Sequence, residues 1–154
     1  HLTSQMKIKN NEHVLVDLGV EYLGYKSDLT RVFFLGKISS AVKKIYGIVR
    51  KAQDKAIKNI KPAVHINKID TAARQYITQK GYGGFFGHNL GHGIGLEVHE
   101  EPRISRKEEN ILKPGMVFTV EPAIYLPNKF GIRLEDIVLV TKKGCSVLSG
   151  SLNK

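Results

Sequence analysis

The sequence predicts a single mixed α/β (α+β) domain, in which a curved antiparallel sheet carries flanking helices. Three observations predict it. The first part of the chain holds short apolar runs of strand composition, and the middle changes to apolar residues at three- and four-residue steps. The second half then returns to short extended pieces separated by glycine and proline.

Taken in order, His13–Leu18 and Glu21–Tyr25 read as short strands on either side of Gly19, and Leu29–Leu35 as a third, rich in Val and Phe. Ile38, Val42, Ile45, Val49, Ala52, Ala56 and Ile60 then trace one face of an amphipathic helix. Ser39 or Ser40 can cap its start and Pro62 stops it. A second helix is expected from Asn67 to Lys80, with Ile69, Ala72, Ala73, Tyr76 and Ile77 inward and Gly81 at its C-terminal cap. Gly81–Gly95 is too rich in glycine to hold a helix. Met116–Val120 and Glu135–Val140 read as strands, and Pro114-Gly115, Pro127-Asn128 and Lys143-Gly144 mark turns.

Composition bounds the function. A chain of 154 residues has the size of one domain, and it can bury roughly two-thirds of its unfolded surface. No apolar run approaches the roughly 20 residues that span a bilayer, so no membrane partner is expected. The single cysteine, Cys145, cannot form an internal disulfide, which fits a reducing cytoplasm, and it reads as a small apolar filler near a turn. The net charge is +10. Its Lys and Arg residues are dispersed and not interleaved with aromatics, so no nucleic-acid partner is expected. The chain opens at His1 without an initiator Met and soon enters an apolar run, which reads as a segment of a longer protein.

Several acids sit where acids are uncomfortable. Asp17 follows Val14-Leu15-Val16, Glu121 follows Met116–Val120, and Glu135-Asp136 precede Ile137–Val140. Beside buried strands such carboxylates are costly unless paired or bound to metal. Any one of them can simply mark a strand end facing water. Together with His88, His92 and His99 in a glycine-rich stretch they point to a site. His13 and His65 have no such company and read as surface residues. One imidazole with several carboxylates suits hard or borderline divalent ions. Carboxylates able to bridge would hold two ions about 3.5–4 Å apart.

Val16-Asp17-Leu18-Gly19, Gly24–Arg31, Gly91–Glu100, Thr119-Val120-Glu121-Pro122 and Gly131–Asp136 follow one another in an order that resembles the successive motifs of the pita-bread metallopeptidases. The resemblance covers essentially the whole chain. It implies a pita-bread (creatinase/aminopeptidase) fold, with residues 1–154 as a partial catalytic domain truncated at its N-terminus. By the same resemblance Asp17, Asp28, His92, Glu121 and Glu135 are the metal ligands, with Asp28 and Glu135 shared by two divalent ions. Mn²⁺ is the expected ion, with Co²⁺ and Zn²⁺ as alternatives. His99 would bond the substrate carbonyl, Glu121 would shuttle the proton of a metal-bridging hydroxide, and Asp136 would stay outside the metal shell.

Arg133 two residues before Glu135, His88 four before His92, and Tyr125 in Glu-Pro-x-x-Tyr resemble the Xaa-Pro branch, the prolidases and aminopeptidase P. There they would line the pocket for a small peptide substrate, joined by His1. The resemblance further implies a homodimer for the intact parent, and an N-terminal domain that helps close the cleft. Weak or absent turnover is therefore expected of this chain alone. The alternatives are a methionine aminopeptidase, a catalytically silent pita-bread module that binds proteins or RNA, and a basic nucleic-acid binder.

Overall fold

The structure, a computed structural model, describes residue 5 and residues 7–152. Strand β1 (His13–Leu18) pairs antiparallel with β4 (Leu29–Phe34), and the register sets Asp17 opposite Thr30. Between them, the segment expected as one strand over Glu21–Tyr25 is a hairpin of β2 (Glu21–Tyr22) and β3 (Tyr25–Lys26). Leu23 and Gly24 both take positive φ, 51° and 84°, the backbone of a tight two-residue turn.

Helix α1 (Ser40–Lys58) starts at Ser39, whose hydroxyl accepts from the Val42 amide. Its buried face carries Val42, Ile45, Ile48, Val49, Ala52 and Ala56, as the spacing predicts, together with Gln53. Helix α2 (Ile66–Gln79) begins one residue before the expected Asn67 and without a side-chain cap. The amides of Ile66 and Asn67 are met instead by the carbonyls of Asn110 and Glu108. Lys80 is its cap residue and Gly81 follows at φ +85°, the left-handed position that ends helices. The glycine-rich stretch holds only a 3₁₀ turn, Gly83–Phe85.

The second half builds an antiparallel sheet of five strands from β5 (Gly91–Gly93), β6 (Glu100–Ile104), β7 (Val117–Val120), β10 (Asp136–Val140) and β11 (Cys145–Val147). Their order is β11-β10-β7-β5-β6. A separate hairpin joins β8 (Ala123–Leu126) to β9 (Phe130–Arg133) through the expected Pro127-Asn128 turn. The curved sheet is thus one five-stranded sheet with three two-stranded ribbons, tied to β4 by the Glu135 amide on the Thr30 carbonyl at 3.2 Å.

Helices α1 and α2 pack on each other, and α1 lies against β7, β8 and β9. Ile45, Val49, Ala52, Phe118, Ile124, Ile132, Leu134 and Val138 belong to this core. His13 corrects the surface expectation: it is half-buried, edge-on to Phe130, with Nε2 3.3 Å from the Gly131 carbonyl. His65 is exposed, as expected. Among the described residues no helix is long and apolar enough to cross a membrane.

Candidate metal centre

Register explains why distant acids meet. Asp136 pairs with Val120 across β10 and β7, so Glu135 and Glu121 stand side by side just past the last rung. Gly93 pairs with Phe118 across β5 and β7, which brings His92 beside Thr119, and the His92 amide donates to the Thr119 hydroxyl at 3.1 Å. That approach needs glycine at the neighbouring position: a Cβ on Gly91 would lie 1.9 Å from the Thr119 carbonyl oxygen. The β1–β4 ribbon supplies Asp17 and, just before β4, Asp28.

The result is a cleft of about 790 Å³ lined by Asp17, Asp28, His88, His92, His99, Glu121, Tyr125, Arg133 and Glu135. All the expected site residues except His1 meet here; His1 lies outside the described residues. Within the cleft, ligand atoms of Asp17, Asp28 and Glu135 lie within 4.8 Å of one another, as do those of His92, Glu121 and Glu135. Asp28, His92 and His99 form a further set. Glu135 belongs to the first two sets. Asp136 faces away, buried and ion-paired to Arg31 at 2.7 Å, in keeping with a place outside the metal shell.

The groups fit a cation. Nδ1 of His92 lies 3.0 Å from the Gly93 carbonyl, an oxygen that can only accept, so Nδ1 carries a hydrogen. In the neutral ring Nε2 is then a bare acceptor, 3.4 Å from Glu121 and 3.7 Å from Asp28. Acceptors facing acceptors are unfavourable until a cation sits among them. Burial pushes the Glu121 carboxyl up to about 7. Burial, with the charges of Glu121 and Asp28 adding, pushes Glu135 up to about 8. Asp28 is raised by burial and then by Asp17, while burial lowers His92 and His88. Oxygen donors with one imidazole and no thiolate suit hard or borderline divalent ions.

Other residues hold this set in place. The Thr30 hydroxyl donates to Glu135 at 2.8 Å and the Thr119 hydroxyl to Glu121 at 3.2 Å. The buried amide of Gln53 donates to the carbonyls of Val120 and Leu134, the residues just ahead of Glu121 and Glu135. Arg133 donates to Tyr125 at 2.8 Å, to Thr30 at 3.1 Å and to Asp17. His88 and Tyr125 stand with ring centroids 5.7 Å apart. Sequence reasoning missed Thr30 and Thr119, although each lies two residues from an expected ligand, the spacing that shares a strand face. Arg103, Asn89, Glu100 and Glu101 also line the cleft, and no pattern in the sequence singled them out.

Comparisons with known proteins show the family and the fold. The profile described as Metallopeptidase family M24 matches residues 1–142. The chain is 45% identical to a Xaa-Pro dipeptidase of Pyrococcus horikoshii over 148 residues, 96% of this chain and 42% of that protein. It is 44% identical to the Pyrococcus furiosus Xaa-Pro dipeptidase with the same coverage. Among solved structures, a Xaa-Pro dipeptidase from Bacillus anthracis superposes with a TM-score of 0.94 at 43% identity, covering 98% of this chain and 42% of that one. An X-Pro aminopeptidase from Thermotoga maritima gives 0.90 at 46% identity, covering 92% and 40%. The chain thus spans well under half the length of these relatives, and the fold they share with it is the pita-bread fold.

Proposed function

Because this chain belongs to metallopeptidase family M24, we propose that residues 1–154 carry the metal-binding part of a catalytic domain that hydrolyses the bond between an N-terminal residue and proline. One observation carries the reading: two sets of potential ligands, Asp17/Asp28/Glu135 and His92/Glu121/Glu135, share Glu135 in a single cleft. A shared carboxylate is what a pair of ions requires. Asp28 would join Glu135 as a second shared ligand, Asp17 would hold one ion, and His92 with Glu121 would hold the other. When bound, two divalent ions supply Lewis acidity and a water whose pKa falls toward neutrality. Mn²⁺ is the proposed occupant, and Co²⁺ and Zn²⁺ suit the same donors.

The chain's own groups do the rest. Glu121, steadied by Thr119, accepts a proton at its carboxylate and delivers it to the leaving proline nitrogen. His99, exposed at the cleft with its ring 4.2 Å from that of His92, hydrogen-bonds the substrate carbonyl as negative charge develops on it. His88, Tyr125 and Arg133 line the proline side. Support for the Xaa-Pro branch over a methionine aminopeptidase comes from this trio, linked by the Arg133–Tyr125 hydrogen bond and the His88–Tyr125 contact. The names of the relatives point the same way.

The test is a calorimetric titration of the metal-stripped chain with Mn²⁺, beside an Asp28→Ala control and paired assays on Xaa-Pro and Met-Ala peptides. Uptake of two ions, lost or halved in the control, is expected. A folded chain that takes up no Mn²⁺ would overturn the reading and favour a silent binding module. Cleavage of Met-Ala alone would overturn the substrate.

A further inference from the structure

The loop that carries His88 meets the sheet only at its end, where the Leu90 amide donates to the Ile104 carbonyl of β6 at 2.9 Å and the Leu90 carbonyl accepts from the Glu121 amide at 2.8 Å. Phe86 is buried, Gly87 exposed, His88 half-buried, Asn89 exposed and Leu90 buried, the alternation of an extended segment. Its inward polar groups meet one device on α2. Arg74 donates to the Phe86 carbonyl at 2.8 Å and to the His88 carbonyl at 2.7 Å. Asp70, one helical turn earlier and fully buried, accepts a second bond from that same Leu90 amide at 3.1 Å. Asp70 and Arg74 grip each other through both carboxylate oxygens, at 2.7 and 2.8 Å. The pair thus holds the stretch ahead of β5: the Phe86 and His88 carbonyls bond Arg74, and the Leu90 amide is shared between Asp70 and β6.

Contact continues into the side chains. The Arg74 guanidinium lies 4.0 Å from the centre of the Phe86 ring, and that ring stands edge-on to His88 at 5.1 Å. The His88 imidazole is fixed in turn: Nδ1 lies 2.7 Å from the Asn89 carbonyl and so donates to it, and Nε2 is buried with no hydrogen-bond partner among the described residues. A buried ion pair is a poor source of stability, because desolvation offsets its attraction. Geometry is what this one supplies: Arg74 bonds the carbonyls on either side of Gly87, that of His88 among them, and stacks on the ring that stands against His88.

We propose that Asp70 and Arg74 are positioning residues for His88, setting the tautomer and place of its imidazole in the cleft. The assignment of His88 to the substrate side rests on the function proposed above; the geometry of the pair does not. Arg74→Lys keeps the charge opposite Asp70, but a single ammonium cannot span the carboxylate and both carbonyls.

The experiment is a two-bond ¹⁵N–¹H correlation spectrum of histidine-labelled, metal-free protein at a pH where the rings are neutral. The parent should show His88 protonated at Nδ1, the tautomer that is the minor one in water. In Arg74→Lys, and in the charge-neutral double variant Asp70→Asn/Arg74→Gln, His88 should move to a mixture dominated by Nε2–H. His65, whose Nδ1 sits 2.9 Å from the Glu109 carbonyl, is the internal reference for an intact fold and should not change. With Mn²⁺ restored, kcat/KM on a Xaa-Pro peptide should fall at least about tenfold, with ion uptake unaltered. A His88 pattern unchanged in a folded variant, or Nε2–H dominant already in the parent, overturns the proposal. If Arg74→Lys does not fold, the double variant decides. The expected spectral change in a folded parent that takes up no Mn²⁺ upholds the positioning role and removes the proposed function instead.

Discussion

Stripped of metal, the chain should lose stability as the pH rises from 6.5 to 8. Glu135 and Glu121 titrate in the fold at about 8 and about 7, against an ordinary 4.5. Across that window the folded chain holds protons that the unfolded chain has already released. Stability falls with pH wherever the folded state binds more protons. Integrated over the window, Glu135 removes on the order of 2 kcal/mol and Glu121 on the order of 1 kcal/mol. His88 and His92, lowered from 6.5 by burial, act in the opposite sense. Their unfolded forms hold about half a proton each at pH 6.5 and shed it across the window, which restores less than the acids remove. The acids win, and the net fall is on the order of 2 kcal/mol.

Below pH 6.5 the acids and histidines oppose each other more evenly, so the upper window is the diagnostic one. Urea unfolding followed by circular dichroism, in chelator at pH 6.5 and pH 8, measures the difference. Glu135→Gln should remove most of it, because the amide has no proton to hold. Added Mn²⁺ should reverse it, since ligands must be deprotonated to bind. A parent chain whose stability is flat or rises between these pH values would refute the reasoning. So would an undiminished fall in Glu135→Gln.

Further outcomes follow from the same geometry. Gly91→Ala places a methyl 1.9 Å from the Thr119 carbonyl and must part β5 from β7. Unfolding should show a loss of roughly 1–3 kcal/mol, and Mn²⁺ uptake should weaken with it. Arg31 bonds Asp136 and the carbonyls of Glu135, Ser149 and Leu152. Arg31→Ala should cost roughly 3–5 kcal/mol, and hydrogen exchange should reveal loosening over residues 149–152. Gln53→Leu removes the one amide that donates to both the Val120 and Leu134 carbonyls, and a loss of about 1–3 kcal/mol should accompany weaker ion binding in the titration. Arg133→Lys forfeits the fork that joins Tyr125, Thr30 and Asp17. Ion uptake should persist while KM for a Xaa-Pro peptide rises, which parallel calorimetry and kinetics would separate.

Legibility in the sequence followed the range of the interactions. Helix α1 was readable to its cap because Ser39 and the apolar steps from Val42 to Ala56 are local signals. Helix α2 starts a residue early because its first amides bond Asn110 and Glu108, some 40 positions away, which no local pattern reports. Strand β6 runs Glu-Glu-Pro-Arg-Ile and looks nothing like a strand; its pairing with β5 makes it one. The Glu21–Tyr25 run reads as continuous because Leu23, an apolar residue, occupies a left-handed turn position that usually takes glycine or asparagine. His13 was misjudged for a related reason: its partners, Phe130 and the Gly131 carbonyl, come from β9.

Asp17, Glu121 and Glu135 stood out because each is an acid at the edge of an apolar strand, where a carboxylate is costly unless paired or bound to metal. His92 stood out in its glycine-rich stretch, and Asp28 only through the resemblance. Their supports did not. Thr30 reaches Glu135 across 105 positions and Gln53 reaches Val120 across 67. A threonine or glutamine in a half-buried element has many ordinary uses. The two kinds of residue nonetheless depend on each other. Glu121 and Glu135 can be crowded together only because Thr119, Thr30 and Gln53 fix their side chains and the backbone ahead of them. Without those bonds the acids would swing apart and relieve their repulsion. Rigid support thus turns like-charge strain into affinity for a cation, and it predicts an order of failure: loss of Gln53 should weaken ion binding before it unfolds the chain.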